Sequence, residues 1–80
     1  MKALITGASS GIGLDMARYL ASKKYELILV GREKEKLEKV QETLPTKVTI
    51  IVADLSNEQK VKELYVLTAK ENIDILINNA

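Results

Sequence analysis

Thr6-Gly7-Ala8-Ser9-Ser10-Gly11-Ile12-Gly13 decides the reading of this chain. It follows Lys2-Ala3-Leu4-Ile5, a short apolar strand candidate, and it opens a helical pattern. Three glycines at such a junction let the backbone turn tightly and approach a ligand closely. Amides at a helix N-terminus lack intrahelical partners, and the macrodipole there favours negative charge. A pyrophosphate suits that place. A loop that uses its glycines for packing alone is the plainer alternative. The Gly-Lys-Ser/Thr ending of a mononucleotide P-loop is absent.

Outward from this loop, strand and helix patterns alternate. Lys2 to Thr6 reads as the first strand. Ile12, Met16 and Leu20 step by four and, with Ala17 and Ala21, give one apolar face of a helix ending near Ser22. Glu26 to Val30 contains four apolar residues in a row, which suits a parallel strand buried on both faces. Glu33 to Leu44 reads as a helix with Leu37, Val40 and Leu44 inward, stopped by Pro45. Val48 to Ala53 is β-branched and reads as the third strand. Ser56 and Gln59 have the spacing of a capping box, opening a helix to about Glu71 with Val61, Leu64, Tyr65 and Thr68 on one side. Ile73 to Ile77 is the fourth strand. The order β-α-β-α-β-α-β implies a parallel sheet.

Composition narrows the chemistry. Eighty residues hold one domain with a modest core. A net charge of +1, from 12 basic and 11 acidic side chains, gives no electrostatic case for nucleic acid or a membrane surface. The chain has no cysteine and no histidine, so thiol chemistry and the commonest metal ligand and general base are missing, and no metal is expected. The apolar runs are too short to span a bilayer. The three apolar residues after Lys2 are too few for a signal-peptide core, so a cytoplasmic setting is expected.

The loop spacing is Gly-x-x-x-Gly-x-Gly. With Asp54-Leu55 after the third strand and Asp74-Ile75-Leu76-Ile77-Asn78-Asn79-Ala80 at the fourth, it resembles the short-chain dehydrogenase/reductase family over the whole chain. The resemblance implies a Rossmann-like, doubly wound α/β fold, present in part, with strand order 3-2-1-4. Residues 1–80 would be the N-terminal part of a dinucleotide-binding domain. It also implies an oxidoreductase that moves hydride between a nicotinamide cofactor and a small carbonyl or alcohol substrate, homo-oligomeric at full length. Gly7, Ser9, Ser10, Gly11, Ile12 and Gly13 would hold the cofactor.

Dinucleotide folds read the adenosine ribose at the end of the second strand, ~20 residues beyond the glycine loop. An acid there binds the 2′-hydroxyl and repels a 2′-phosphate. This chain has Gly31-Arg32, with Arg32 19 residues after Gly13. A guanidinium pairs bidentately with phosphate and stacks on adenine, so NADP is expected in preference to NAD. The bland alternative pairs Arg32 with a nearby glutamate such as Glu35, and Glu33 would favour NAD if the register shifted by one. Relatives that prefer NADP sometimes carry a second basic residue where this chain has Ser10.

By the same resemblance, Asp54 accepts a bond from the adenine amino group and the Leu55 amide serves the ring. A turn or capping role for Asp54 is compatible with this. Asn79 would lie near the adenine ribose, while Asn78 and Asp74 hold the sheet together. Relatives usually have glycine near Lys24, where the first helix ends in a left-handed residue; lysine adopts that conformation at a cost of roughly 1 kcal/mol.

The family's catalytic serine and its Tyr-x-x-x-Lys pair belong to later elements. Tyr19 and Lys23 have the spacing but lie along the first helix, so no catalytic residue is assigned. The expectation is a cofactor-binding half, inactive alone. A non-catalytic dinucleotide-binding module and an inactive truncated fragment are the alternatives. The fourth strand would have an uncovered edge and a partly bare face, which predicts association or poor solubility.

Overall fold

The computed structural model describes residues 1–79; Ala80, the last residue of the Asn-Asn-Ala motif, lies outside the described residues. The elements are β1 (Lys2–Thr6), α1 (Gly11–Ser22), β2 (Glu26–Gly31), α2 (Lys34–Thr43), β3 (Val48–Val52), α3 (Glu58–Glu71) and β4 (Ile75–Asn78). The four strands form one parallel sheet in the order β3-β2-β1-β4. The Rossmann-like order expected from the sequence is thus the observed one.

Strand alternation sorts the core into two layers. Ala3 and Ile5 of β1 and Leu27 and Leu29 of β2 point to one face, where they meet Ala17, Leu20 and Ala21 of α1 and Leu37 and Val40 of α2. Leu4, Ile28 and Val30 point to the other face, packed by Ile51 of β3, Leu55 of the following loop and Leu64 of α3. Helices α1 and α2 therefore share one face and α3 covers the other. Both central strands are buried on both sides, which is why Leu27–Val30 carries no polar alternation. Burying a side chain such as Leu37 stabilises by about 1.5–3 kcal/mol.

Three local expectations are corrected. Ile12 does not continue the buried stripe: it is 70% exposed, and Gly13 takes the inward place together with Ala17, Leu20 and Ala21. A side chain larger than glycine would not fit where α1 approaches the loop (below), so the apolar stripe starts one residue later. Ser56 does not cap α3. Asn57 is the N-cap, its Oδ1 accepting from Gln59 N at 2.9 Å, because the Ser56 hydroxyl is already bonded to Asp54. The fourth strand begins at Ile75 rather than Ile73, since Asp74 turns to bond the start of β1.

Two helix ends are left-handed. Lys24, just past α1, has φ 65° and Asn72, closing α3, has φ 53°. The glycine substitution noted at Lys24 therefore falls on a residue with positive φ. The bare surface expected at β4 is also present: Leu76 is 54% exposed on the α3 side of this edge strand, near the exposed Tyr65.

Candidate functional site

The carboxyl ends of β1, β2 and β3 open into one cleft. The first wall is Thr6, Gly7, Ser9 and Ser10; the second is Gly31, Arg32, Glu33 and Lys36; the third is Ala53, Asp54, Leu55 and Ser56. In open α/β sheets this edge is where ligands bind.

The first wall is built by close backbone contacts. Gly7 has φ 62°, and a Cβ there would collide with the Asn79 carbonyl oxygen. A Cβ on Gly13 would collide with the Gly7 carbonyl and lie 2.6 Å from Asn79 Nδ2. These two glycines are packing requirements. Gly11 is different: its φ is 59°, and a Cβ built on it meets nothing within 4 Å. Packing alone therefore does not explain Gly11, the middle glycine of the motif.

Ser10 is the N-cap of α1 in an extended conformation, and its hydroxyl caps none of the helix amides. The Leu14 amide bonds the Ser10 carbonyl at 3.3 Å. The preceding amides of Gly11, Ile12 and Gly13 have no residue four places back within the helix to accept from them. The Ile12 side chain stands in solvent at the helix tip.

Asn79 sits behind this wall. Its Nδ2 donates to the Gly7 carbonyl at 3.2 Å and its amide donates to Thr6 Oγ1 at 2.9 Å. The Thr6 hydroxyl donates in turn to Asn78 Oδ1 at 3.0 Å. Thr6 is 3% exposed and escaped the sequence reading as a site residue. The signal for it was its place at the start of the motif, but its partners lie more than 70 residues away. Asn78 and Asp74 tie β4 to β1, as expected. Asp74 Oδ2 accepts from the Lys2 amide at 2.8 Å, and Lys2 Nζ pairs with Glu71 at 2.9 Å.

On the second wall Arg32 is exposed directly after β2. Among the described residues it forms no ion pair with Glu35; Glu33 and Asp54 are the carboxylates that feel its charge, and Glu33 pairs with Lys36 at 2.8 Å. That hydrogen bond and charge hold the Glu33 carboxyl below its ordinary range, with Arg32 adding the least. Among the described residues Arg32 forms an ion pair with neither Glu33 nor Asp54.

On the third wall Asp54 Oδ1 accepts from the Ser56 amide at 3.0 Å and from its hydroxyl at 2.8 Å. These bonds lower the Asp54 pKa, and the Arg32 charge lowers it further. Asp54 is therefore a turn former, as its plainer reading held, and still lines the cleft. Tyr19 and Lys23 take no part: the Lys23 ammonium lies 5.7 Å from the Tyr19 ring centre on the exposed side of α1. Among the described residues no helix is long and apolar enough to cross a membrane.

A sheet of this order, with a glycine-rich turn, an open helix N-terminus and an arginine after β2, defines a dinucleotide-type cleft. The family model of short chain dehydrogenases matches residues 1–80, and the chain belongs to that family. It is 42% identical over 78 residues to an uncharacterized short-chain type dehydrogenase/reductase of Sinorhizobium fredii, covering 98% of this chain and 29% of that protein. Its structure is similar to a metagenomic short-chain oxidoreductase solved in complex with NADP (TM-score 0.89, 32% identity, 100% of this chain and 38% of that one). It is also similar to a short-chain dehydrogenase from Sphingobium yanoikuyae solved with NADPH (TM-score 0.88, 34% identity, 99% and 33%). The chain thus spans about a third of the length of these relatives.

Proposed function

We propose that residues 1–80 are the N-terminal part of the dinucleotide-binding domain of an NADP-preferring short-chain oxidoreductase. The observation that carries the preference is Arg32: exposed, without a carboxylate partner among the described residues, and on the same cleft as Ser9 and Ser10. The residues fit a dinucleotide. The free amides of Gly11, Ile12 and Gly13 and the uncommitted Ser10 hydroxyl suit a pyrophosphate. The Arg32 guanidinium suits a 2′-phosphate. Asp54 and the Leu55 amide would receive the adenine, and Asn79, close to Gly7, would stand near the ribose and fix the loop.

When bound, the nicotinamide supplies the hydride chemistry; this chain's residues bind and orient it. No tyrosine lines the cleft among the described residues, so the 80-residue chain is expected to bind without turning over. The full-length protein would act on a small carbonyl or alcohol, as a cytoplasmic homo-oligomer.

Titration calorimetry of the chain with NADP and NAD tests this reading. NADP should bind more tightly, and Arg32→Ala should weaken NADP by about 10- to 100-fold while leaving NAD within about threefold. Equal affinities for the two dinucleotides, or an unchanged NADP affinity in R32A, would refute it.

A further inference from the structure

Glu33 is the N-cap residue of α2, yet its carboxylate does not bond the helix amides. It turns instead to Lys36, one turn along, at 2.8 Å. Both side chains are more than half exposed and both line the cleft that holds Arg32. Taken alone, an exposed pair of this kind adds little to stability. Its position gives it another consequence.

A carboxylate next to Arg32 has two ways to spoil an anion site. It can occupy the guanidinium, or it can repel the incoming anion. Neither happens while Lys36 holds it. Glu33 pairs with Lys36 at 2.8 Å, and among the described residues no carboxylate forms an ion pair with Arg32, so the guanidinium stays unclaimed. The charged side chains of the cleft are Arg32, Lys36, Glu33 and Asp54, which sum to zero. Without Lys36 the sum is −1, and the excess negative charge sits beside Arg32. A dianionic phosphate would feel that change strongly and a ribose hydroxyl hardly at all. The pyrophosphate common to both dinucleotides would feel it equally in each.

We propose that Lys36 is a specificity-determining, positioning residue of the cofactor cleft: by holding and neutralising Glu33 it leaves Arg32 free for the 2′-phosphate of NADP. The inference rests on the assignment of Arg32 to that phosphate. Lys36 acts through Glu33 and needs no contact with the ligand. The pair converts a β2 terminus with an acid in it, Arg32-Glu33, into a net cationic one.

Calorimetry with NADP and NAD on Lys36→Met, Lys36→Arg, Glu33→Gln and the double variant E33Q/K36M tests it, with circular dichroism to confirm an unchanged fold. K36M should weaken NADP about three- to tenfold and leave NAD within about twofold. K36R should keep the NADP/NAD ratio, and E33Q/K36M should restore it to within about twofold of the parent. An unchanged ratio in K36M overturns the inference. So does a loss that persists in the double variant, which would mean that Lys36 meets the phosphate directly. Arg32→Ala separates the two levels. If R32A spares NADP binding, the cofactor reading fails. If R32A weakens it and K36M does not, only the role of Lys36 fails.

Discussion

The Asn79 side chain holds the Gly7 carbonyl at 3.2 Å, joining the two ends of a 72-residue stretch at the rim of the cleft. The contact is mutual. The Asn79 backbone carbonyl fills the space that a side chain on residue 7 would need. The glycine loop is thus shaped from behind by the residue that follows β4, an element separated from the loop by two other strands.

Removal of that support should loosen the loop without touching cofactor selectivity. Asn79→Ala deletes the bond to Gly7 but keeps the backbone bond to Thr6, and should cost about 1 kcal/mol of stability. Because the loop would serve the pyrophosphate, NAD and NADP affinities should fall together. Calorimetry checks this, and a fall confined to NADP would contradict it.

The three glycines of the motif should separate into two kinds. Gly7→Ala and Gly13→Ala place a methyl against backbone, with positive φ adding to the first, and should each destabilise by about 2 kcal/mol or more. Gly11→Ala has open space around it and should cost only about 1–2 kcal/mol, from φ alone. Urea unfolding compared with dinucleotide titration distinguishes them: Gly11→Ala should lose far more in binding than in stability.

Lys24 is a position where stability is to be gained. Its φ of 65° strains any side chain with a Cβ, and the residue is exposed. Lys24→Gly should stabilise by about 0.5–1 kcal/mol, read as a higher thermal midpoint. An unchanged or lower midpoint would show that the strain is relieved elsewhere.

The Lys2–Glu71 clamp sets pH limits at the amino edge of the sheet. Its hydrogen bond lowers the Glu71 pKa from its ordinary 4.5. That contribution is present above 4.5 and disappears as pH falls through the lower folded value. The same bond raises the Lys2 pKa above 10.5, so its contribution is present below 10.5 and is lost as pH rises beyond it. Denaturation midpoints measured from neutral to acid pH should fall less steeply for Glu71→Gln than for the parent. Parallel curves would remove the clamp from the account.

The exposed Leu76 and Tyr65 flank one apolar groove beside an edge strand. Sedimentation of the chain should show concentration-dependent association, reduced in Leu76→Thr. A monomer at all concentrations would contradict this.

Much of the fold was legible because burial imposes periodicity. Leu27–Val30 suited a strand covered on both faces, and Leu37 with Val40 marked the inward side of α2. Misreadings arose where several local rules applied at once. Ile12 matched the helix period, yet backbone crowding at Gly13 turned that face toward the loop. Ser56 matched a capping box, yet Asp54 took its hydroxyl and Asn57 became the cap. Spacing offered Arg32 a nearby glutamate such as Glu35, yet the observed pair at the start of α2 is Glu33 with Lys36.

By itself the sequence determined the alternation of strands and helices, the glycine turn, and the arginine that follows the second strand. Those features are local: they depend on residue type, spacing and backbone freedom. The tertiary structure decided which side chains meet across the sheet. It brought Thr6 to Asn78 and Asn79, Lys2 to Glu71 and Asp74, and three separate strand ends to one cleft. Parallel strands bring distant residues into register only once the intervening helices have packed, so such partnerships leave no mark in the local pattern of residues.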